Sequence, residues 1–388
     1  MSAQYDVIVI GLGAMGSATV YQLSRRGRRV LGLEQYDIPH SRGSSHGFSR
    51  VIRLAYYEHP AYVPLLFRAY ELWRELETLS GVPLLHITGS IDAGTSESQI
   101  FLGSQQACHV HGIAHEVLTS NELSHRFPAY RLPPEIMAVF QPEGGFLAPE
   151  LCIVSHIRLA QANGAEIRAR EQVLDWSPVG NRVRVRTDRE VYEANRLVIT
   201  AGAWAAKLVP SIAMLATPER QVLAWFQPSH PDLFAPSKFP VFNLVVEEGR
   251  YYGLPIFDVP GFKVGKYHHL SEAIDPDNPD FECRPADEKL LRDFVVRYFP
   301  DAAGPTMGLR ACMFTNSPDK RFILDLHPEF PQVAIASPCS GHGFKFSCVV
   351  GEIMADLVER GDTNHDISIH RLARFKTWGE GGSGTRAL

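Results

Sequence analysis

Hydrophobic positions near the N terminus fall in short, dense runs. Tyr5-Asp-Val-Ile-Val-Ile10 is almost continuously apolar and β-branched, which predicts a strand buried on both faces. Gly11-Leu-Gly-Ala-Met-Gly16 follows without a spacer. Ser17–Arg26 reads as a helix stopped by Gly27, and Arg29–Leu33 as a second strand ending at Glu34. Further on, Glu71–Ser80 and Cys152–Gly164 read as helices, and Val183–Val185 and Arg196–Thr200 as strands. Between 216 and 310 the texture changes. Arg220–Phe226, Val241–Val246, Arg250–Leu254 and Phe262–Lys266 are strand-like segments separated by Pro, Gly and Asp, the pattern of an antiparallel sheet. Gln332–Ser337 is again a buried strand, leading through Gly341-His-Gly343 into an apolar helix from Ser347 to Glu359. The glycine-rich tail Gly379–Gly384 predicts a mobile end.

Each part of the opening segment has a physical job. Gly11 permits the tight turn, Gly13 lets the backbone approach a pyrophosphate, and Gly16 lets helix and strand pack closely. The helix N terminus offers free N–H groups to phosphates. Glu34, 18 residues after Gly16, can accept hydrogen bonds from an adenosine ribose and disfavours a 2′-phosphorylated cofactor. The pattern predicts an α/β plus α+β chain. A Rossmann-like FAD-binding domain takes residues 1–82, 146–215 and 313–388, and an interleaved antiparallel-sheet substrate domain takes 83–145 and 216–312. Such interleaving is more typical of FAD enzymes than of NAD dehydrogenases, whose second domain is usually one piece.

Composition narrows the function. The 388 residues carry a net charge of −5, a poor basis for binding nucleic acid. No apolar run is long enough to span a membrane, and the short run at Tyr5–Ile10 leads straight into glycines rather than forming a signal peptide. Six cysteines without a CxxC pair suggest neither a disulfide scaffold nor a metal site, and fit a reducing, cytoplasmic setting. Only eight residues are lysines, so Lys263, within the apolar Gly261-Phe-Lys-Val-Gly265, and Lys345, in Ser340-Gly-His-Gly-Phe-Lys345, stand out. The polar loop Ser41–Arg50 should lie near the cofactor, and the planar fork of Arg50 suits a carboxylate. A helix N terminus at Gly341–Gly343 would stabilise the charge of a reduced flavin. Cys312 alone reads as an inert buried thiol. His268 and His269, like Tyr251 and Tyr252, would face opposite sides of a strand.

Gly-Ser-Ser-His-Gly at 43–47 with Arg50 and Arg53, Cys312-Met-Phe-Thr before Ser317-Pro-Asp319, and Ser340-Gly-His-Gly-Phe-Lys-Phe-Ser347 together resemble the monomeric sarcosine oxidase, N-methyltryptophan oxidase and pipecolate oxidase family, over Tyr5 to about Arg374. The resemblance implies that Gly11, Gly13, Gly16 and Glu34 hold the ADP half of FAD. Ser45, His46, Ser49, Arg50 and Arg53 would line the cofactor and the active-site floor, and Val173 would touch the adenosine region. It implies a covalent thioether from Cys312 to the flavin, a carboxylate clamp of Arg50 and Lys345, and an oxygen-activating Lys263. Tyr252 and His268 would be pocket residues, although one extra residue near Lys266 leaves His269 or Tyr267 as alternatives to His268. Phe314 stands where sarcosine oxidases often carry a tyrosine, which favours a larger or cyclic secondary amine. The implied reaction is oxidation of a secondary α-amino acid by hydride transfer to the flavin, with O2 reduced to hydrogen peroxide by a monomer. The rival readings are an FAD dehydrogenase serving a protein or quinone acceptor, an NAD-dependent dehydrogenase, and a non-catalytic flavin sensor.

Overall fold

The computed structural model describes residues 4–337 and 339–375, so the glycine-rich tail lies outside the described residues. Among them, two eight-stranded sheets dominate, with a three-stranded sheet between parts of the chain that feed both. The first strand, β1 (Tyr5–Ile10), lies parallel to β2 (Val30–Leu33) on one side and to Val191–Ile199 on the other. With neighbours on both edges and helices above and below, this position demands the unbroken apolar run seen in the sequence.

The helix between the two strands, α1 (Ala14–Arg25), starts three residues earlier than the pattern suggested. Gly13 is its N-cap, so the glycine turn passes directly into the helix and Gly16 sits in the first turn. A Cβ at Gly16 would fall far inside contact distance of the Gly11 carbonyl oxygen, and one at Gly11, whose φ is +85°, would lie 2.8 Å from the Thr200 oxygen. Only glycine lets helix, β1 and the end of Val191–Ile199 converge this closely.

Val191–Ile199 is shared: its first half pairs antiparallel with Arg182–Thr187, its last three residues parallel with Val333–Ala336. The C-terminal strand therefore returns beside the N-terminal one. The helices Val63–Ser80 and Ser347–Arg360 join α1 in one continuous apolar cluster.

The second sheet runs in the order Thr306–Asn316, Thr217–Phe226, Phe262–Lys266, Gly249–Leu254, Val241–Val246, Ser90–Thr95, Ile136–Gln141, Glu116–Thr119. It is antiparallel except where Val241–Val246 meets Ser90–Thr95. The stretch read as strands and turns also holds a helix, Pro285–Tyr298, which buries Leu291, Phe294, Val295 and Tyr298 against this sheet. That spacing is helical, and the sequence reading passed over it.

Two of the boundaries drawn from sequence fall inside continuous elements. Thr306–Asn316 runs unbroken through 312/313, and Gly145–Leu147, which pairs with both Arg50–Ile52 and Leu85–Ile87, runs through 145/146.

Candidate active site

A cavity of about 410 Å3 runs along the carboxyl ends of the first sheet and reaches the second. One end is lined by Gly11, Gly13, Glu34 and Val173, the other by Arg50, Tyr252, Cys312 and Lys345. This is where an open parallel sheet offers its strand ends and helix N termini to a ligand.

At the first end, a Cβ on Gly13 would meet nothing nearer than Ser45 Oγ at 3.6 Å, so Gly13 keeps the cavity wall flat. Glu34 is buried; its two oxygens accept the Leu12 N–H at 2.9 Å and the Tyr36 N–H at 3.0 Å. These bonds fix the carboxylate at the end of β2, facing the cavity, with lone pairs left for a ligand hydroxyl. Gly16 lies behind the wall and acts through packing.

The 43–50 loop forms the middle of the site. Ser45, Ser49 and Arg50 line the cavity; His46 and Arg53 lie behind it. Glu150, which the sequence reading missed, anchors the loop by accepting the Gly47 N–H at 2.6 Å and the Phe48 N–H at 3.1 Å. Burial, with Arg50 and Lys263 nearby, pushes the His46 imidazole down to about 3, so the ring is neutral; both its nitrogens lack a protein partner. Arg50 donates to the Ser49 and Ser44 carbonyls at 3.0 and 3.1 Å and pairs with no carboxylate among the described residues. Arg53 is the opposite case. It is wholly buried and held by Glu58 at 2.8 and 3.0 Å, with Asp92 at 3.5 Å from its Nε. Burial outweighs that guanidinium and lifts the Asp92 carboxyl to about 6.

Lys263 also lies behind the loop rather than on the cavity surface. Its Nζ donates to the Gly47 and Ser49 carbonyls at 2.7 and 2.6 Å, with Ser49 Oγ at 3.3 Å and Trp225 beneath. Burial first, then Arg50, holds its proton affinity well below the ordinary lysine range. Lys345 lines the cavity itself. It follows the turn at Ser340 and Gly341, both at positive φ, and donates to the His342 carbonyl at 2.7 Å. Burial, helped by Arg53, pushes it down to about 7. Gly341 and Gly343 line the same stretch; a side chain at Gly341 would collide with Phe314 at 2.5 Å.

Cys312 sits in mid-strand, opposite Gln221, with its thiol on the cavity and raised by burial. Tyr252 lines the cavity, while Tyr251 stacks on Phe294 on the other face of the sheet, as strand alternation requires. His268 does not reach the cavity. The chain leaves the strand at Lys266 and turns, so the two histidines do not alternate across a sheet: His268 bonds Glu219 at 3.0 Å near the surface, and His269 bonds Asp287 at 2.8 Å in the interior. Tyr267 is the residue of this segment on the cavity wall, beside Tyr252 and Phe314.

A family model described as FAD dependent oxidoreductase matches residues 6–357. The chain belongs to this family. It is 40% identical over 379 residues to monomeric sarcosine oxidase of Bacillus sp. (strain NS-129), covering 96% of this chain and 98% of that protein. It is 34% identical to N-methyl-L-tryptophan oxidase of Salmonella dublin, with 96% and 99% covered. Among solved structures, NikD, an amino acid oxidase of nikkomycin biosynthesis, superposes with a TM-score of 0.82 at 26% identity, over 95% of this chain and 98% of that one.

The residues present fit FAD. The glycine turn leaves room that a Cβ would fill, the start of α1 supplies N–H groups for a pyrophosphate, and Glu34 suits a ribose. The opposite end offers cationic and apolar groups suited to a flavin and an anionic substrate. The protein is a flavin-dependent oxidoreductase.

Proposed function

We propose that this enzyme oxidises secondary α-amino acids, N-methylated or cyclic, with O2 as electron acceptor and hydrogen peroxide as product. The observation that carries the reading is the pair Arg50 and Lys345, two cations without a carboxylate partner among the described residues, lining one cavity with the glycine cradle. A substrate carboxylate satisfies both, and two-point anchoring sets the orientation of the amine and of the C–H bond beside it, on the N-methyl group of an N-methyl substrate. FAD, when bound, supplies the two-electron acceptor that O2 reoxidises. The positive surroundings disfavour a protonated amine and so favour the neutral form that can be oxidised. Tyr252 and Phe314 shut water from the apolar side of the site. Lys263, buried behind Arg50 with its proton affinity held down, can take up a proton as O2 gains negative charge and so offset that charge. The hydrolysed imine product of an N-methyl substrate is formaldehyde.

The names of the relatives support both the oxidase chemistry and a monomer. The six cysteines are unpaired, in keeping with a reducing, cytoplasmic compartment. No helix among the described residues is long and apolar enough to cross a membrane.

A peroxide assay across sarcosine, N-methyl amino acids, proline and pipecolate tests the reading; no peroxide from any of them under air rejects it. A flavin reduced anaerobically by these amino acids but slow with O2 would instead favour the dehydrogenase. We also infer a covalent link from Cys312 to the flavin, supported by the position of the thiol on the cavity. Acid precipitation should leave the yellow colour with the wild-type protein and free it from Cys312→Ser.

A further inference from the structure

Behind the cavity wall, cations and aromatic rings alternate in an unbroken file. Lys345 Nζ lies 5.3 Å from the Tyr56 ring, and the Arg53 guanidinium is 4.5 Å from Tyr56 on one side and 4.6 Å from Tyr57 on the other. Arg250 continues it, 4.7 Å from Tyr57 and 3.6 Å from Tyr267. The file begins and ends on residues that line the cavity, Lys345 and Tyr267. Glu58 serves both arginines, but unequally: Arg53 holds it at 2.8 Å, Arg250 only at 3.4 Å. Arg250 Nε is buried without any partner. The guanidinium is thus committed to its rings more than to its carboxylate.

Tyr267 needs such a hold. It opens a turn in which His268, His269 and Ser271 all have positive φ, so no strand ladder continues beyond it to fix the ring. Arg250 grips it twice, by accepting the Tyr267 N–H on its carbonyl at 2.9 Å and by stacking its guanidinium on the ring. On the cavity side, Tyr267 meets Tyr252 edge-on at 5.2 Å and Phe314 at 5.8 Å. A methyl group alone covers little of three ring faces; a cyclic or aromatic substituent excludes water from all of them.

We propose that Tyr267 is a specificity-determining residue, and Arg250 its positioning residue, for secondary amino acids that carry a bulky apolar or aromatic side chain. This rests on the reading of the site as that of a secondary amino acid oxidase. A cation over an aromatic face orients the ring without occupying the cavity, and the stack is half-buried.

The experiment compares kcat/KM for N-methyl-L-phenylalanine with that for sarcosine in the flavin-loaded enzyme. Tyr267→Ala should lower this ratio about tenfold or more, while Tyr267→Phe, which keeps the ring, should hold it within about twofold. Arg250→Met should lower the ratio about threefold through KM of the bulky substrate, and Arg250→Lys, which keeps a cation, should recover part of the loss. If Arg250→Met does not load flavin, Arg250→Lys carries the positioning test by the direction of its KM change. A ratio within twofold of wild type in Tyr267→Ala, or equal losses on both substrates in the Arg250 variants, overturns the proposal. Absence of turnover with every secondary amino acid in the wild-type enzyme would overturn the underlying reading instead, so the two failures are separable.

Discussion

The two ends of the cavity are built on different principles. The nucleotide end is made of backbone and empty space: glycines at 11, 13 and 16, a helix start, and one carboxylate bonded to its own neighbourhood. All of it comes from the first 34 residues apart from Val173 and the Thr200 approach. The proposed substrate end is made of charged and aromatic side chains from residues 50, 252, 267 and 345 and the thiol of Cys312, brought together from separate parts of the chain. One end admits no added atom at Gly11 or Gly16. The other is a balance of charges and surfaces that can be adjusted residue by residue.

The largest effect should come from adding one methyl group at the rigid end. Gly16→Ala forces a Cβ into the Gly11 carbonyl, an overpacking that costs about 1–3 kcal/mol or more and distorts the cradle. Purified protein should be nearly colourless, with a lowered Tm. Normal flavin content would show that the turn is far more pliable than its contacts imply.

At the other end, Arg50→Met should reduce kcat/KM for a carboxylate-bearing substrate by about 100-fold, as expected for loss of one partner of a charged pair. Unchanged affinity would move the clamp elsewhere. Lys263→Met should slow reaction of the reduced enzyme with O2 by about 100-fold while leaving anaerobic reduction by substrate nearly intact. Equal loss in both half-reactions, read by stopped-flow absorbance, would assign Lys263 a structural role through the Gly47 and Ser49 carbonyls.

The smallest effect is a titration. Lys345 is pushed down to about 7, so its ammonium is about half populated there and falls to about a tenth one pH unit higher. The affinity of a simple unreactive carboxylate such as propionate should therefore weaken between pH 7 and 9, and Lys345→Met should flatten that dependence. The same group acts on stability in the opposite sense. Between about 7 and its ordinary value of 10.5 the unfolded chain binds the proton and the folded one does not, so its contribution to stability rises with pH across that window. A propionate affinity independent of pH in the wild-type enzyme would remove Lys345 from the anion site.

The nucleotide end is legible in local residue order alone. The run at 5–10, the glycine spacing and Glu34 are local features, because a strand, a tight turn and a helix start are each specified by neighbours in the chain. The sequence also marked Arg50, Lys263, Cys312 and Lys345 as unusual by residue type and setting. It could not decide which of them stand on the cavity wall and which stand behind it, since Lys263 is taken off the surface by its bonds to the 43–50 loop, itself held by the distant Glu150. Nor could it choose among Tyr267, His268 and His269. Strand alternation applies only while the strand lasts, and the turn after Lys266 sends the three side chains in three directions. Arg250 was invisible for the same reason: its ring partners lie at 57 and 267, and only the pairing of Gly249–Leu254 with Phe262–Lys266 brings it under Tyr267. Contacts set by chain neighbours are written in the spacing of residues; contacts set by sheet register exist only once the strands have paired.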